Sequence, residues 1–446
     1  MTVLSKILGG TFGFKILTAE CYEYAHTWNP NCHQAILDAV FDGWSFSFRT
    51  YATFYILSAL ISKRDPRKIK YDTLMKDILR SSLFLTTNLV GYLFWLCRLR
   101  QAMGFAIWPT AGFVNGWLSS YFAILLEKQK RRPMLALYLT NLASETLYRQ
   151  FVNHGYLRTY KHGECVPFAI GLAGFIAMYK KKQLSDGLAR ILKFIFALNE
   201  QSDTIDTTSL HPLLIKYLTW VRHYFGKHER CEHPHSCPSA ALEGTSRNFA
   251  IGFGVSSLIT ILKSIPTILR RPSQLPKLLF SFRNLRLPLF LALIPFLYHV
   301  TECSLKRTRM SDTAIHLISG SVSASSMVAY PSVSISMYIF WKLIETVYFK
   351  LTEQGRAPII KHGDIILYTL STGYVLGNAA LEPQAIRKGY WNFLCGLTGQ
   401  RVRLFNRRLF NAFGFDSQKM FEHFVPNLNP KYVTINPALY LPFKRV

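Results

Sequence analysis

Runs of residues free of acidic and basic side chains recur along this sequence, at Ser81–Cys97, Ile107–Leu126, Phe249–Leu262 and from Thr313 up to Lys342. They approach the roughly 20 apolar residues that a helix needs to cross the hydrocarbon of a bilayer, and the last is long enough for a helical hairpin. The fold class that follows is all-α, a polytopic helical membrane protein. The basic residues fall between these runs, as in Lys63–Lys68, Lys128–Arg132, Lys180–Lys182 and Arg270-Arg271, where they would meet anionic headgroups and set the topology.

Charge supports the same reading. Fifty-two Lys and Arg against 25 Asp and Glu leave a formal charge of +27, which in a soluble chain would suggest nucleic acid. No nucleic-acid-binding motif or aromatic stacking platform accompanies the charge, so nucleic acid is excluded as a partner and a bilayer with anionic headgroups is expected. Met1–Glu20 has no secretory signal pattern, which disfavours secretion. Eight cysteines over 446 residues are too sparse for a disulfide scaffold.

The apolar pattern predicts helices at Trp44–Ser62, Ser81–Cys97, Ile107–Leu126, Met134–Val152 and Val166–Tyr179, then a short amphipathic stretch at Gly187–Leu198 and a polar linker at Glu200–His211. A second series follows at Phe249–Leu262, Leu287–Val300, Thr313–Ala329, Val333–Phe349 and Ile365–Leu381. The two series share a core. Tyr138, Glu145, Thr146, Tyr148, Gly155, Lys161, His162 and Gly163 recur, without a gap, 200 residues later as Tyr338, Glu345, Thr346, Tyr348, Gly355, Lys361, His362 and Gly363. So many identities at one offset point to duplication of an ancestral half. The expected organisation is an N-terminal Cys/His segment (1–43), a first transmembrane repeat (44–198), a linker with a Cys/His cluster (199–238), a second repeat (239–381) and a basic C-terminal tail (382–446). Charge bias between the runs favours an even number of crossings per half, four or six.

Glu145 and Glu345 are the residues hardest to place, because a carboxylate inside a spanning helix costs roughly 2.5 kcal/mol or more. Either they line a polar path together with Tyr148 and Tyr348 on the same helix face, or they sit near helix ends and pair locally, with Arg149 or Lys350. Arg49 in the first predicted helix is a further cation that would pair with a glutamate or reach the interface. Gly112 and Gly116 in one half correspond to Gly320 and Ala324 in the other, two small residues four apart that let neighbouring backbones approach closely.

Cysteine and histidine open each half: Cys21, His26, Cys32 and His33 in the first, His228, Cys231, His233, His235 and Cys237 in the second. Within the second group Cys231, His233, His235 and Cys237 are the candidate metal ligands; reduced structural thiols, or disulfides Cys21–Cys32 and Cys231–Cys237, are the other readings. Lys161-His162-Gly163-Glu164 and its counterpart Lys361-His362-Gly363-Asp364 read as turns leading into helices, with a histidine base as the alternative. No phosphate loop, nucleophile elbow or zinc-protease helix is present, so no catalytic residue, no enzyme activity and no cofactor are expected.

Cys21-Tyr-Glu, His26-Thr-Trp-Asn-Pro-Asn-Cys32, Asn141-Leu-Ala-Ser-Glu-Thr-Leu-Tyr-Arg149, Ile335-Ser-Met-Tyr338, Glu345-Thr-Val-Tyr-Phe-Lys350 and Asn429-Pro-Lys-Tyr432 together resemble the transmembrane protein 135 family. That resemblance implies a multi-pass protein of mitochondrial and peroxisomal membranes that affects fission and fusion balance, peroxisome organisation and lipid storage, with the fission machinery as a partner. It brings no catalytic residues. A more distant similarity to the Tim17 group rests on the small-residue positions alone. The rival readings are a channel or carrier for a lipid or small metabolite between the two repeats, and a membrane enzyme of lipid metabolism built on a close His–Glu or Cys–His cluster.

Overall fold

Long helices follow from the apolar runs, and the computed structural model places them in chain order. It describes residues 3–63, 67, 69–198, 216, 219–223, 226–233 and 235–436; the predicted linker Glu200–His211 lies outside them. The helices of the first series are α1 (Cys32–Lys63), α2 (Tyr71–Met103), α3 (Phe113–Leu126), α4 (Arg132–Asn153) and α5 (Cys165–Lys180), followed by the amphipathic α6 (Asp186–Phe196). The second series is α7 (Cys237–Arg270), α8 (Phe282–Leu305), α9 (Asp312–Ser323), α10 (Val333–Glu353) and α11 (Gly363–Leu381), and α12 (Lys388–Leu397) comes after it. No named strand occurs among the described residues.

Among the described residues, three helical stretches are long and apolar enough to cross a membrane, Tyr71–Met103, Cys237–Arg270 and Pro272–Leu305. Phe113–Leu126 and Cys165–Lys180 are apolar but shorter; at 1.5 Å per residue they reach about 21 and 24 Å, below the roughly 30 Å of hydrocarbon. On α7 the side chains of Leu258, Leu262 and Leu269 are exposed, an outward apolar face of the kind a protein presents to lipid. The run Ile107–Leu126, expected as one helix, is broken: a single turn at Trp108–Ala111 ends at Gly112, and α3 begins after it. The break falls where a Cβ on Gly112 would stand 2.8 Å from Leu381 Cδ1 and 3.3 Å from the Cα of Gly377.

The chain divides into two compact units, residues 1–158 with 360–446, and residues 159–359. In the first, α1 packs on α2, α2 on α3, and α3 and α4 both pack on α11. In the second, α7 packs on α8, α8 on α9, and α9 and α10 both pack on α5. The order of partners is the same, but each unit takes its last helix from the other series. The packing units therefore cut across the sequence halves 44–198 and 239–381.

Small residues make these contacts possible. A Cβ on Gly116 would lie 3.0 Å from Gly373 Cα, and one on Gly320 would lie 2.9 Å from Ala173 Cα. Ala324, in a 3₁₀ turn that ends α9, is buried in the cluster of Leu172, Phe175 and Ile176. In the second unit Gly171 likewise admits Ile339 from α10.

Two prolines inside α8 show how a helix with missing N–H groups is tolerated. Pro288 and Pro295 leave the carbonyls four residues earlier, on Asn284 and Leu291, without their helical donors. Polar side chains of α7 replace them: Ser256 Oγ donates to Asn284 O at 2.8 Å and Asn248 Nδ2 donates to Leu291 O at 3.3 Å. In lipid, where water cannot supply the bond, such replacement is required.

The C-terminal region expected as a basic tail is folded into the first unit. Phe405, Leu409, Phe410 and Phe413 join a buried cluster with Tyr24, Leu96 and Cys97. Arg407 is buried among them, donating to Ala379 O and Val402 O at 3.2 and 2.9 Å, with its guanidinium 4.5 Å from the centre of the Phe421 ring. Its Nε and Nη1 are buried without a hydrogen-bond partner, so this basic residue is a desolvated cation inside the protein and faces no headgroup.

Candidate metal centres and ligand cavity

Four metal-ligating side chains meet in each unit. In the first, Cys21 lies on a short helix before α1, His26 in the turn after it, Cys32 is the first residue of α1, and Cys97 comes from the last third of α2. In the second, Cys231 and His233 precede α7, Cys237 is its first residue, and Cys303 comes from the end of α8. In both groups the ligand atoms all lie within 4.8 Å of one another.

Their geometry is specific. Cys231 Sγ and Cys237 Sγ are 3.9 Å apart, and Cys303 Sγ is 3.3 Å from His233 Nε2. The cysteines are free, so neither Cys21–Cys32 nor Cys231–Cys237 is a disulfide here. Each histidine is oriented by a carbonyl: His26 Nδ1 lies 2.8 Å from Asn29 O, and His233 Nδ1 lies 2.7 Å from His235 O. A proton on Nδ1 leaves Nε2 as the lone-pair nitrogen facing the thiols. His26 Nε2 is buried and has no hydrogen-bond partner.

Electrostatics favour a thiolate in the first group. The hydrogen bond shared with Cys32 pushes the Cys21 thiol up to about 12, and the same bond, with Cys97 and His26 beside it, holds Cys32 far below the ordinary thiol range. In the second group burial raises the Cys231 thiol and lowers His233, which keeps that imidazole neutral. Beyond each helix cysteine by three residues stands a buried cation, Arg100 after Cys97 and Lys306 after Cys303.

Of the candidate ligands Cys231, His233, His235 and Cys237, three meet and His235 does not. Its backbone carbonyl holds His233, and its ring lies 6.5 Å from that of His223. Cys303 takes the fourth place. Sequence reasoning missed Cys97 and Cys303 because they lie inside apolar helices, where a cysteine passes for a small apolar residue. The available signal was their spacing, 65 residues after Cys32 and 66 after Cys237.

The repeated glutamates have different surroundings. Glu145 on α4 is 2% exposed; its Oε1 accepts from Arg149 at 2.8 and 3.0 Å, and its Oε2 lies 3.6 Å from Arg387 Nη1. Glu345 on α10 is half-buried and pairs with Lys342. The expected partner Lys350 pairs with Glu353 instead. Helix geometry explains this, since residues three apart share a face and residues five apart do not. Tyr148 is exposed, and the Tyr348 hydroxyl donates to Pro358 O at 2.9 Å. Arg49 is exposed on α1.

The repeated turns are matched in backbone detail. Gly155 and Gly355 have φ of +79° and +69°, and His162 and His362 have φ of +61° and +56°. The N–H groups of Tyr156 and Arg356 donate to Phe151 O and Leu351 O at 2.9 Å, the six-residue bond that closes a helix through a left-handed glycine.

Within the first unit lies a cavity of about 580 Å³, in the range of small-molecule sites. Its wall is mostly apolar and aromatic, with Tyr51 and Phe54 from α1, Phe84 and Tyr92 from α2, Tyr368 from α11, and Tyr390 and Phe393 from α12. Asn88 Nδ2 donates to the Tyr368 hydroxyl at 2.9 Å. Each of the two arginines in the wall stands beside a carboxylate, Arg387 3.6 Å from Glu145, which it shares with Arg149, and Arg401 2.7 Å from Asp42. A smaller cavity of about 160 Å³ in the second unit has several charged residues in its wall. Glu302 there lies 3.3 Å from Lys306 Nζ, 3.6 Å from His316 Nδ1 and 3.8 Å from His299 Nδ1.

No solved structure matches this chain. The glycine contacts that suggested the Tim17 group occur wherever helices pack closely in lipid and identify no family. Residues 18–152, which contain Cys21, His26, Cys32 and Cys97, match the N-terminal cysteine-rich region of Transmembrane protein 135.

Proposed function

We propose that this multi-pass membrane protein holds a neutral, largely apolar lipid, a sterol or an uncharged acyl lipid, in the cavity of its first unit, and acts in lipid handling without catalysing a reaction. The observation that carries this reading is the wall of the cavity: aromatic rings surround about 580 Å³, and each of its two arginines already stands beside a carboxylate. The family resemblance supports the wider setting, mitochondrial and peroxisomal membranes, with effects on the fission and fusion balance, peroxisome organisation and lipid storage. The basic segments between the apolar runs suit anionic headgroups and recruitment of the fission machinery.

The test is photocrosslinking of the purified protein in liposomes with diazirine-bearing cholesterol and with a diazirine phosphatidylserine. Labelling by the sterol at residues of α1, α2 or α12, reduced at least tenfold by the cavity-filling Thr50→Trp, supports the reading. Labelling that Thr50→Trp leaves unchanged, or that prefers the anionic lipid, counts against it. A carrier working through Glu145 has less support, because Glu145 is already paired with Arg149 and Arg387. An enzyme reading has one observation in its favour, the grouping of His299, Glu302 and His316 beside the smaller cavity. Lipid turnover in the same liposomes, abolished by Glu302→Gln, would favour it.

A further inference from the structure

We propose that the chain binds two zinc ions as closed structural sites, one held by Cys21, His26, Cys32 and Cys97 and the other by Cys231, His233, Cys237 and Cys303. Three sulfurs and one imidazole nitrogen are a recurrent zinc donor set. With Zn–S near 2.3 Å and Zn–N near 2.0–2.1 Å, a tetrahedral ion sets sulfur pairs about 3.8 Å apart and sulfur–nitrogen pairs about 3.6 Å apart. The observed 3.9 Å between Cys231 and Cys237 and 3.3 Å between Cys303 and His233 fit that edge length, whereas a disulfide would bring two sulfurs to about 2.05 Å.

Three further observations point the same way. His26 Nε2 is an unpartnered polar atom on a side chain only 1% exposed, in a group whose donor atoms converge. Both histidines are held by a carbonyl on the far nitrogen, which fixes the tautomer that a metal needs. Three thiolates around Zn²⁺ carry one net negative charge, and a buried cation stands one helical turn beyond Cys97 and beyond Cys303: Arg100, which also pairs with Glu20, and Lys306, which also pairs with Glu302 and Glu232. The same arrangement has been reached in both units with different histidine spacings, five residues after Cys21 and two after Cys231. All four ligands in each site come from the protein, which leaves no open position and assigns the ions to structure: each clasps the segment before a long helix to the end of the helix that follows.

Full-length protein purified in detergent without chelators should contain two zinc ions per chain by elemental mass spectrometry. Cys97→Ser and Cys303→Ser should each remove one, whereas Cys395→Ser, outside both groups, should leave two. His26→Cys and His233→Cys, which keep four good ligands, should also retain two and so separate loss of a ligand from loss of folding. X-ray absorption at the zinc edge of the wild type should show three sulfurs and one nitrogen. Less than one zinc per chain with no uptake after reduction overturns the proposal. So does a Cys21–Cys32 or Cys231–Cys237 disulfide in peptide mapping, or iron in place of zinc.

Discussion

Gly116 and Gly373 oppose each other so closely that a Cβ on Gly116 would meet the Cα of Gly373 at 3.0 Å, and one on Gly373 would meet Trp117 N at 2.9 Å. Backbone stands against backbone there, so nothing flexible can yield. Gly373→Val should lower stability by about 3 kcal/mol or more, the upper range for overpacking, and Gly116→Val should do the same. Gly389→Ala, with open space around it, should cost under about 0.5 kcal/mol. Thermal unfolding of the three variants in one detergent reads the difference.

Glu145 and Glu345 occupy equivalent sequence positions in unequal environments. Removing the charge from Glu145 leaves Arg387 and Arg149 without their carboxylate, but Arg149 is 42% exposed and can turn to solvent. Glu145→Gln should therefore cost about 1–3 kcal/mol, less than a fully buried pair would. Glu345→Gln, in a half-exposed pair with Lys342, should cost under about 1 kcal/mol. Equal effects on stability, or loss of solute flux by both in liposomes, would instead support the carrier reading.

Arg407 tests whether a buried charge here is needed for its charge or for its volume. Arg407→Met keeps much of the packing against Trp391, Phe405 and Phe421 and removes a desolvated cation, so it should change stability by less than about 1.5 kcal/mol. Arg407→Ala opens a cavity and should cost about 3–5 kcal/mol. Comparable large losses in both would show that the bonds to Ala379 O and Val402 O dominate. Denaturant unfolding followed by tryptophan fluorescence is suited to the comparison, because Trp391 lies beside the guanidinium.

The matched turns give a fourth expectation. Gly155→Ala and Gly355→Ala place a Cβ on left-handed backbone and should each cost about 1 kcal/mol. His162→Gly and His362→Gly relieve the same strain and should be tolerated, with stability unchanged or raised by up to about 1 kcal/mol. A histidine base at either turn would show instead as lost activity in a folded, stable variant.

The apolar runs located the long helices because lipid-facing and core-facing helices are both apolar, but they understated several: the helices begin at Cys32, Tyr71 and Cys237, ten or twelve residues before Trp44, Ser81 and Phe249, because composition marks only a helix's apolar middle. Three things escaped. The interruption at Gly112 was passed over although Pro109 and Gly112 mark it locally; what could not be read is the close approach of Gly377 and Leu381, more than 260 residues away in sequence. Cys97 and Cys303 escaped because a ligand in an apolar helix has no local polar signature. The C-terminal region looked like a solvated tail because its arginines were counted as surface charge, yet Arg407 is buried between aromatic rings and carbonyls. Glu145 and Glu345 were found by their repetition, but repetition of a residue does not carry its environment with it.

The exchanged last helices also constrain how the protein is made. α3 and α4 emerge from the ribosome well before α11, so Gly116 waits until synthesis has passed Gly373 to meet its partner, and Glu145, paired within its own helix with Arg149, waits for Arg387. During that interval the nascent first unit is open along the seam that α11 will fill, and premature pairing of α4 with the adjacent α5 is the competing outcome. For the same reason neither sequence half is self-sufficient: a fragment ending near residue 198 would lack α11 and carry an α5 without its partners α9 and α10. Two complementary fragments made in one membrane should restore each other, each donating the helix the other needs.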